Sequence, residues 1–444
     1  MAGTRRLIAV FALALAALRA APAQSAPTYK FADLGRFPQN ASAYLPIDPD
    51  APVTNYVNQV VYAEEYLRNH FAPWQSEDLS YLDLTFEKIF KYYESILKKQ
   101  CYAEGGKVFP KKSMEALGKN ASIDENATPR PGVALADANV RVLPMEAPLY
   151  GSRESALGEG GRLKLDILQN STLKPGEPLA VYSTSADSNW FFVATGAVVG
   201  WVKAASVASV DWDFMDWYMY SPHSVVVSDD VEVGAGEGRA PLKVKMGAVF
   251  PSDGDDLLLP ERGKDGMAVV RRFDLGDRAV PFPLPFTPRN AASLIDGMMG
   301  EPYGWGGAGR FRDCSAMTRD YFSVFGVWLP RNSGDQAVTG ARISLKNTAS
   351  GERNGVIVPA AVPFATLIHM PGHIMLYLGV YDGEPVVFHN TWGVQTNSGR
   401  AVVGKAVVSS LRLGSEIPGK PANSLLIDRI DSISFPIADL GEVN

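Results

Sequence analysis

The 444-residue chain contains only two cysteines, Cys101 and Cys314, and five histidines. So few cysteines exclude a fold that depends on a disulfide network, because small disulfide-rich scaffolds carry many closely spaced cysteines. One bridge between Cys101 and Cys314 stays open as an alternative. Two free thiols are favoured, since Cys101 follows a separate helical segment and a chain of this size needs no covalent staple.

Basic residues are not in excess either: 42 Lys and Arg stand against 48 Asp and Glu, and the net charge is −6. This balance, without a dense basic stripe, argues against nucleic acid as a partner and against adhesion to anionic membranes. Beyond the N-terminus no apolar run reaches the ~20 residues of a membrane-spanning helix. The length predicts two to four domains, and 46% hydrophobic residues are enough to form several cores. We expect a soluble monomer that needs no cofactor.

The first residues read as a targeting segment rather than as part of the fold. Arg5 and Arg6 precede an apolar run at residues 7–18, and Ala21-Pro22-Ala23 has the small-x-small pattern of a cleavage site. This predicts a secretory signal peptide over residues 1–23, cleaved near Ala23. We therefore expect the protein to be exported, either to a periplasm or out of the cell.

Changes in periodicity divide the rest of the chain. Apolar residues recur at helical spacing first. Short β-like runs between turns follow, among them 225–233 and 242–249, and the last part mixes helices and strands. A proline-rich linker at residues 281–290, expected to be a stiff spacer, precedes the last part. The predicted domains are a helical N-terminal domain at 27–130, with helices at 55–67 and 84–100, two β-barrels at 135–210 and 223–275, and an α+β domain at 287–444.

Cys314 is the strongest candidate for chemistry. It lies in EPYGWGGAGRFRDCSAMTRDYF, where a glycine-rich loop leads through Asp313 into a predicted helix. A cysteine in the first helical turn meets unpaired N–H groups and the positive end of the helix dipole, which favour the thiolate. We therefore predict a cysteine nucleophile, provided that a histidine reaches it. Asp313 is expected to cap the helix.

Two histidines of the last domain are predicted to complete the site. PGHIMLYLGVYDGEPVVFHNTWG reads as a hairpin around Asp382-Gly383, with His373 opening one strand and His389 on the other. A plain two-residue turn would put His389 on the wrong face. We therefore predict a loop of odd length, or a bulge of equivalent effect, so that His373 acts as base and His389 orients it. A zinc site built from the same residues is the less favoured alternative, and His70 is expected to be structural.

These segments resemble two known families. ADSNWFFV followed by VVGWVKAASV resembles bacterial SH3-type (SH3b) domains, in which Trp190 and Trp201 would be core residues, Trp201 most clearly; the second β-region resembles them less. YGWGGAGRFRDCSAM, LPRNSGDQ, GHIMLYLG and VFHN resemble the NlpC/P60 cysteine peptidases, which hydrolyse bacterial cell-wall peptides. Together with the preceding regions, the chain is similar to multidomain members that cut γ-D-glutamyl–diamino acid bonds.

The resemblance implies a papain-like catalytic domain within a multidomain α+β chain, with Cys314, His373 and His389 as the catalytic set. It further implies that peptidoglycan stem peptides with a free N-terminal L-Ala are substrates and that an SH3b domain walls the cleft. Asn332 stands where an acidic residue is common, which leaves Asp313 as the candidate for binding a substrate ammonium group. Two alternatives stay open: a related N-acetylmuramoyl-L-alanine amidase, and a non-catalytic wall-binding protein. The substrate-pocket residues implied are Tyr303, Asp313, Ser315, Asn332 and Ser333.

Overall fold

The computed structural model describes residues 29–229, 231–234 and 241–437; the predicted signal peptide lies outside them. Within these ranges no helix is both long and apolar enough to cross a bilayer. Both cysteines are free and buried. Cys101 packs in a core shared by the N-terminal region and the first β-sheet, whereas Cys314 packs in the core of the C-terminal domain. The disulfide alternative is therefore wrong.

The N-terminal region is helical, as predicted, but its helices pack against two different neighbours. Tyr66 belongs to the core of the C-terminal domain, while Ile89 and Tyr93 pack with the first β-sheet. His70 is buried and stacks on Tyr66 with ring centroids 5.8 Å apart, which fits the structural role expected for it. The helices are α1 (Asp33–Arg36), α2 (Tyr56–Gln75), α3 (Phe86–Leu97) and α4 (Lys111–Asn120).

The first β unit is a seven-stranded antiparallel sheet whose strands stand in the order β3-β2-β6-β5-β4-β1-β7. Trp201 is fully buried against Phe192, at 5.5 Å between centroids, and Trp190 is also buried, so both are core residues as predicted. The elements are β1 (Arg130–Ala134), β2 (Ala138–Arg141), α5 (Arg153–Leu157), β3 (Gln169–Leu173), β4 (Pro178–Thr184), β5 (Trp190–Ala194), β6 (Val199–Lys203) and β7 (Val207–Ser209).

Helix α6 (Trp212–Tyr220) leads to the second β unit, a five-stranded sheet in the order β13-β12-β11-β8-β14 with a separate hairpin. The predicted continuous strand from 242 to 249 is wrong, because Gly247 has a φ of +79° and breaks the run. The run predicted over 225–233 is likewise divided in two. The strands are β8 (His223–Val226), β9 (Val231–Val233), β10 (Leu242–Val244), β11 (Val249–Asp253), β12 (Asp256–Arg262), β13 (Ala268–Asp274) and β14 (Ala279–Pro281).

The C-terminal domain packs helices against a six-stranded antiparallel sheet ordered β15-β20-β16-β17-β18-β19. Thr287 caps the first helix of this domain, and Phe286 of the linker stacks on Phe325 with ring centroids 4.0 Å apart. The linker therefore packs against the core of this domain and is not merely the stiff spacer that the prolines predict. The elements are α7 (Pro288–Met298), α8 (Cys314–Val324), α9 (Ser333–Gln336), β15 (Ala341–Ser344), α10 (Arg353–Ala360), β16 (Leu367–Met370), β17 (His373–Tyr381), β18 (Glu384–Thr396), β19 (Gly399–Ser410), α11 (Leu426–Arg429) and β20 (Ser432–Phe435).

Candidate active site

Cys314 is the first residue of α8, as the sequence predicts, and Asp313 is the cap. The Asp313 carboxylate accepts the N–H of Ala316 at 2.8 Å and the N–H of Gly306 at 3.0 Å. One carboxylate therefore ties the helix start to the glycine-rich loop. This fixes where the thiol stands relative to both.

The glycine-rich loop is pressed against strand β3 of the first β unit. Gly306 and Gly307 have φ of +59° and +85°, and a Cβ on them would come within 2.7 Å of Gln169 and 2.6 Å of Thr172. Gln169 also donates its side-chain N–H to the carbonyl of Gly306 at 2.9 Å. Glycine is needed here for both reasons, the left-handed backbone and the close approach.

Arg331 completes the thiol side of the site. Its guanidinium forms a bidentate ion pair with Asp313, at 3.1 and 2.7 Å, and donates to Ser315 Oγ at 2.9 Å and to Ser171 Oγ of β3 at 2.9 Å. With two backbone donors as well, both oxygens of Asp313 are occupied. We therefore assign Asp313 an anchoring role, and its geometry argues against the substrate-ammonium role that the resemblance suggested.

The hairpin of β17 and β18 brings the two histidines together through a bulge. Tyr381 pairs with Glu384 across a two-residue turn, Asp382-Gly383, which alone would put His389 on the wrong face. The register shifts between Tyr377 and Gly379, so that one extra residue on β17 reverses the facing of everything beyond it. The predicted bulge is confirmed. His373 Nε2 and His389 Nδ1 are 2.8 Å apart.

A third strand fixes the protons on both rings. Ser409 of β19 donates its hydroxyl hydrogen to the carbonyl of Ser410 at 2.9 Å, and His389 Nε2 lies 3.0 Å from Ser409 Oγ. Ser409 Oγ is thus the acceptor for His389 Nε2–H. His389 Nδ1 must then accept from His373 Nε2–H, which leaves His373 Nδ1 unprotonated. The chain of hydrogen bonds sets His373 as a base.

Burial favours the neutral forms of both the thiol and the imidazole. It raises the pKa of the Cys314 thiol to about 12, and nearby Asp313 adds to this, against the N–H of Ile374 and Arg331, which favour the thiolate. Burial, and then Arg429, lower the pKa of His373 to about 3. This desolvation opposes the thiolate that the helix start favours, so the thiolate stays a prediction.

A cleft of about 290 Å³ opens beside His373. Tyr303 lines it, as the resemblance implied, together with Trp392 and Arg400, and Leu163 and Leu165 of the first β unit form part of its wall. The N–H of Trp392 donates to the carbonyl of Gly161 at 2.8 Å, which attaches this wall to the catalytic sheet. The first β unit therefore shapes the space next to the base.

The other four expected pocket residues, Asp313, Ser315, Asn332 and Ser333, are not among the described residues that line this cleft. Asn332 is exposed and donates to Asp335 at 3.2 Å, and half-buried Ser333 begins α9. Within the described ranges no three His, Cys, Asp or Glu side chains form a group that could hold a metal ion.

Two residues that organise the site escaped the sequence reasoning. Arg331 stands within the LPRNSGDQ motif, so attention to its charge could have suggested a partner for Asp313. The sequence around Ser409 does not indicate a role in the site, because Ser409 lies near the end of an ordinary apolar strand. It comes near His389 only because Val387 pairs with Ser409 across the two strands.

Three family profiles match parts of the chain. Residues 300–410 match the NlpC/P60 family, residues 154–203 match an SH3 domain of the SH3b1 type, and residues 7–125 match the N-terminal stabilising domain of NlpC/P60 proteins. No curated protein sequence gives a significant match.

Solved structures resemble the chain to different extents. An NlpC/P60 endopeptidase from Photobacterium damselae subsp. piscicida is 21% identical with a TM-score of 0.80, over 90% of this chain and 97% of that one. An NlpC/P60 family protein from Bacillus cereus is 17% identical with a TM-score of 0.47, over 69% of this chain and 99% of that one. The peptidoglycan hydrolase RipB from Mycobacterium tuberculosis is 30% identical with a TM-score of 0.18, over 28% of this chain and 56% of that one. The first of these likenesses shows the fold.

Proposed function

The chain is a cysteine peptidase of the NlpC/P60 family, and we propose that it hydrolyses the γ-D-glutamyl–diamino acid amide bond of peptidoglycan stem peptides through an acyl-enzyme on Cys314. The observation that carries the proposal is the hydrogen-bonded chain from Ser409 through His389 to His373, combined with a thiol at a helix start that meets the backbone N–H of Ile374, the residue after His373. This arrangement supplies a nucleophile, a base and a group that orients the base.

The reaction begins from a neutral thiol and a neutral imidazole. His373 Nδ1 takes the Sγ proton as Cys314 attacks the γ-glutamyl carbonyl carbon, and the charge on the carbonyl oxygen is held by N–H groups at the helix start. The C–N bond then breaks, and the leaving amine takes the proton from His373. Water, deprotonated by His373, attacks the thioester and releases the acid and the thiol.

The finer specificity is also a proposal. Leu163 and Leu165 narrow the cleft from the first β unit, which favours short free peptides over strands still in the wall. The preference for a free N-terminal L-Ala is a prediction from the family resemblance, and no carboxylate is among the described residues that line the cleft. We further propose that the protein is exported and acts as a monomer.

Mass spectrometry of the products from L-Ala-γ-D-Glu-diamino acid peptides tests the proposal, with wild type and Cys314→Ala side by side. We expect L-Ala-D-Glu and the free diamino acid from wild type and no turnover by the variant. Full turnover by Cys314→Ala would refute the catalytic assignment. Release of muramic acid from a muramyl peptide, with the γ-glutamyl bond intact, would support the amidase alternative.

Acetylating the N-terminus of the same peptides tests the free-amine preference. We expect slower cleavage of the blocked peptide. Equal turnover of both forms would refute amine recognition while leaving the cleaved bond unchanged. A chain that binds purified wall but cleaves none of the peptides would support the wall-binding alternative.

A further inference from the structure

The charged side chains that line the cleft beside His373 are of one sign. Apart from His373 itself they are Arg400, near the start of β19, and Arg429, at the end of α11; no aspartate or glutamate is among the described lining residues. This is unexpected in a chain of net charge −6, where acidic residues outnumber basic ones. The cleft therefore offers concentrated positive charge next to the proposed base.

Both arginines are held in place without an acidic partner. Arg400 donates to the carbonyl of Gly393 at 3.0 Å, and Arg429 donates to the carbonyl of Pro371 at 3.2 Å. Neither forms an ion pair with any carboxylate in the described part of the chain. Each guanidinium thus donates one N–H group to a backbone carbonyl. Since arginine has five N–H donors, others can bind a ligand.

Arg400 and Arg429 line the same cleft and are close enough for their charges to affect each other. Burial, and then Arg429, lower the pKa of Arg400, to which Arg162 of the first β unit also contributes. Both arginines also act on His373 and lower its pKa, after burial. Two cations that repel each other at one cleft are stabilised together when an anion enters.

We propose that Arg400 and Arg429 bind a carboxylate of the substrate and so determine which peptides are cleaved. This rests on the proposed function, which places a stem peptide in the cleft. A planar guanidinium matches the geometry of a carboxylate, and two of them favour a peptide rich in free carboxylates. When the C-terminal carboxyl group of the diamino acid is amidated, the carboxylate has two sources in such peptides: the α-carboxylate of D-Glu, and the second carboxylate of diaminopimelate, which lysine lacks.

Four C-terminally amidated peptides separate the sources: L-Ala-γ-D-Glu or L-Ala-γ-D-isoglutamine, each joined to meso-diaminopimelate or to L-Lys. Affinity is measured by calorimetry on full-length Cys314→Ala, and kcat/KM is measured on the enzyme with Cys314 intact. Removing the recognised carboxylate should weaken binding about 10- to 100-fold, the worth of hydrogen bonds to a charged group. Arg400→Gln and Arg429→Gln should abolish that discrimination, and Arg342→Gln, an exposed arginine on β15, is the control.

The inference is overturned if Cys314→Ala binds all four peptides equally, binds none of them, or keeps its discrimination in both arginine variants. Arg429 is exposed and can be replaced without disturbing the core. Peptide binding by Arg429→Gln can therefore be measured even if Arg400→Gln is unstable. The proposed function fails in a different way: peptides bind with carboxylate dependence, but the enzyme with Cys314 intact does not cut the γ-glutamyl bond.

Discussion

The two sides of the candidate site are held in place by different kinds of interaction. The thiol side, formed by Asp313, Ser315 and Arg331, is charged and depends on Ser171 of another unit. The imidazole side, formed by His373, His389 and Ser409, is a neutral hydrogen-bonded chain within one sheet. A buried ion pair tolerates little change because either partner alone is an uncompensated charge. A neutral chain across paired strands depends instead on register.

The difference shows how the nucleophile and the base are positioned independently. The first β unit reaches the thiol side through Gln169 and Ser171, so the docking of that unit is part of the active-site geometry. The imidazole side needs only the antiparallel pairing of β17, β18 and β19. We expect changes on the thiol side to affect both folding and activity, and changes on the imidazole side to affect mainly the rate.

The largest effect is expected for Arg331→Met. Removing the guanidinium leaves the Asp313 carboxylate buried without its cation, which costs about 3–5 kcal/mol of folding free energy unless the carboxyl takes up a proton. Thermal unfolding and kcat/KM should both fall. Arg342→Met, at an exposed position on β15, is the matched control. Unchanged stability of Arg331→Met would break the contrast between the two sides.

His389→Leu should lower kcat about 10²- to 10⁴-fold, the usual contribution of general acid–base catalysis. Leucine has a similar volume but accepts no hydrogen bond, so His373 Nε2–H loses its partner and the base loses its orientation. Steady-state kinetics on the peptide substrate measures the loss, and circular dichroism checks the fold. If His389→Leu kept the kcat of the wild type, His389 would not orient the base.

Ser409→Ala should have a smaller effect, about tenfold in kcat, equivalent to ~1.4 kcal/mol. The variant removes the acceptor for His389 Nε2–H, so the alternative tautomer of His389 becomes accessible. Ser409→Thr keeps the hydroxyl and should restore most of the rate, while Ser344→Ala on exposed β15 should change nothing. Nitrogen NMR of the His389 ring reports the tautomer directly; an unaltered signal in Ser409→Ala would contradict the relay.

The smallest expected effect is that of acid on kcat/KM. A base with the ordinary histidine pKa of ~6.5 is only about 3% neutral at pH 5. Burial lowers the pKa of His373 to about 3, so we expect kcat/KM to stay nearly constant between pH 7 and pH 5. An acid limb near pH 6.5 would show that His373 is hydrated in the working enzyme.

The lowered pKa of His373 also makes the free energy of unfolding depend on pH. The folded pKa of His373 lies below its unfolded value, so the unfolded chain binds more protons at acid pH, and stability falls as the pH drops below about 6.5. Buried His70, whose pKa is also lowered to about 3, adds to this loss. Intrinsic tryptophan fluorescence at each pH separates unfolding from a true kinetic limb.

Local patterns carried much of the prediction. The placement of Cys314 at a helix start followed from a glycine loop and a capping aspartate, both of which act within a few residues. The hairpin prediction was equally local, and the bulge followed from requiring two histidines on one face. By contrast, the prediction of a continuous strand over 242–249 overlooked Gly247, whose positive φ ends the strand. The prediction of a stiff spacer at 281–290 overlooked Phe286, which packs in the core of the C-terminal domain.

The sequence by itself determined the order of the regions, the helix that carries the thiol and the register condition that joins the histidines, because these depend on periodicity and turn chemistry along the chain. The tertiary structure alone decided the burial that raises the pKa of the thiol, since burial is a property of the packed molecule. It also decided the partners of Asp313 and His389. Arg331 lies 18 residues from Asp313, Ser409 lies 20 from His389, and Ser171 comes from another unit 160 residues before Arg331.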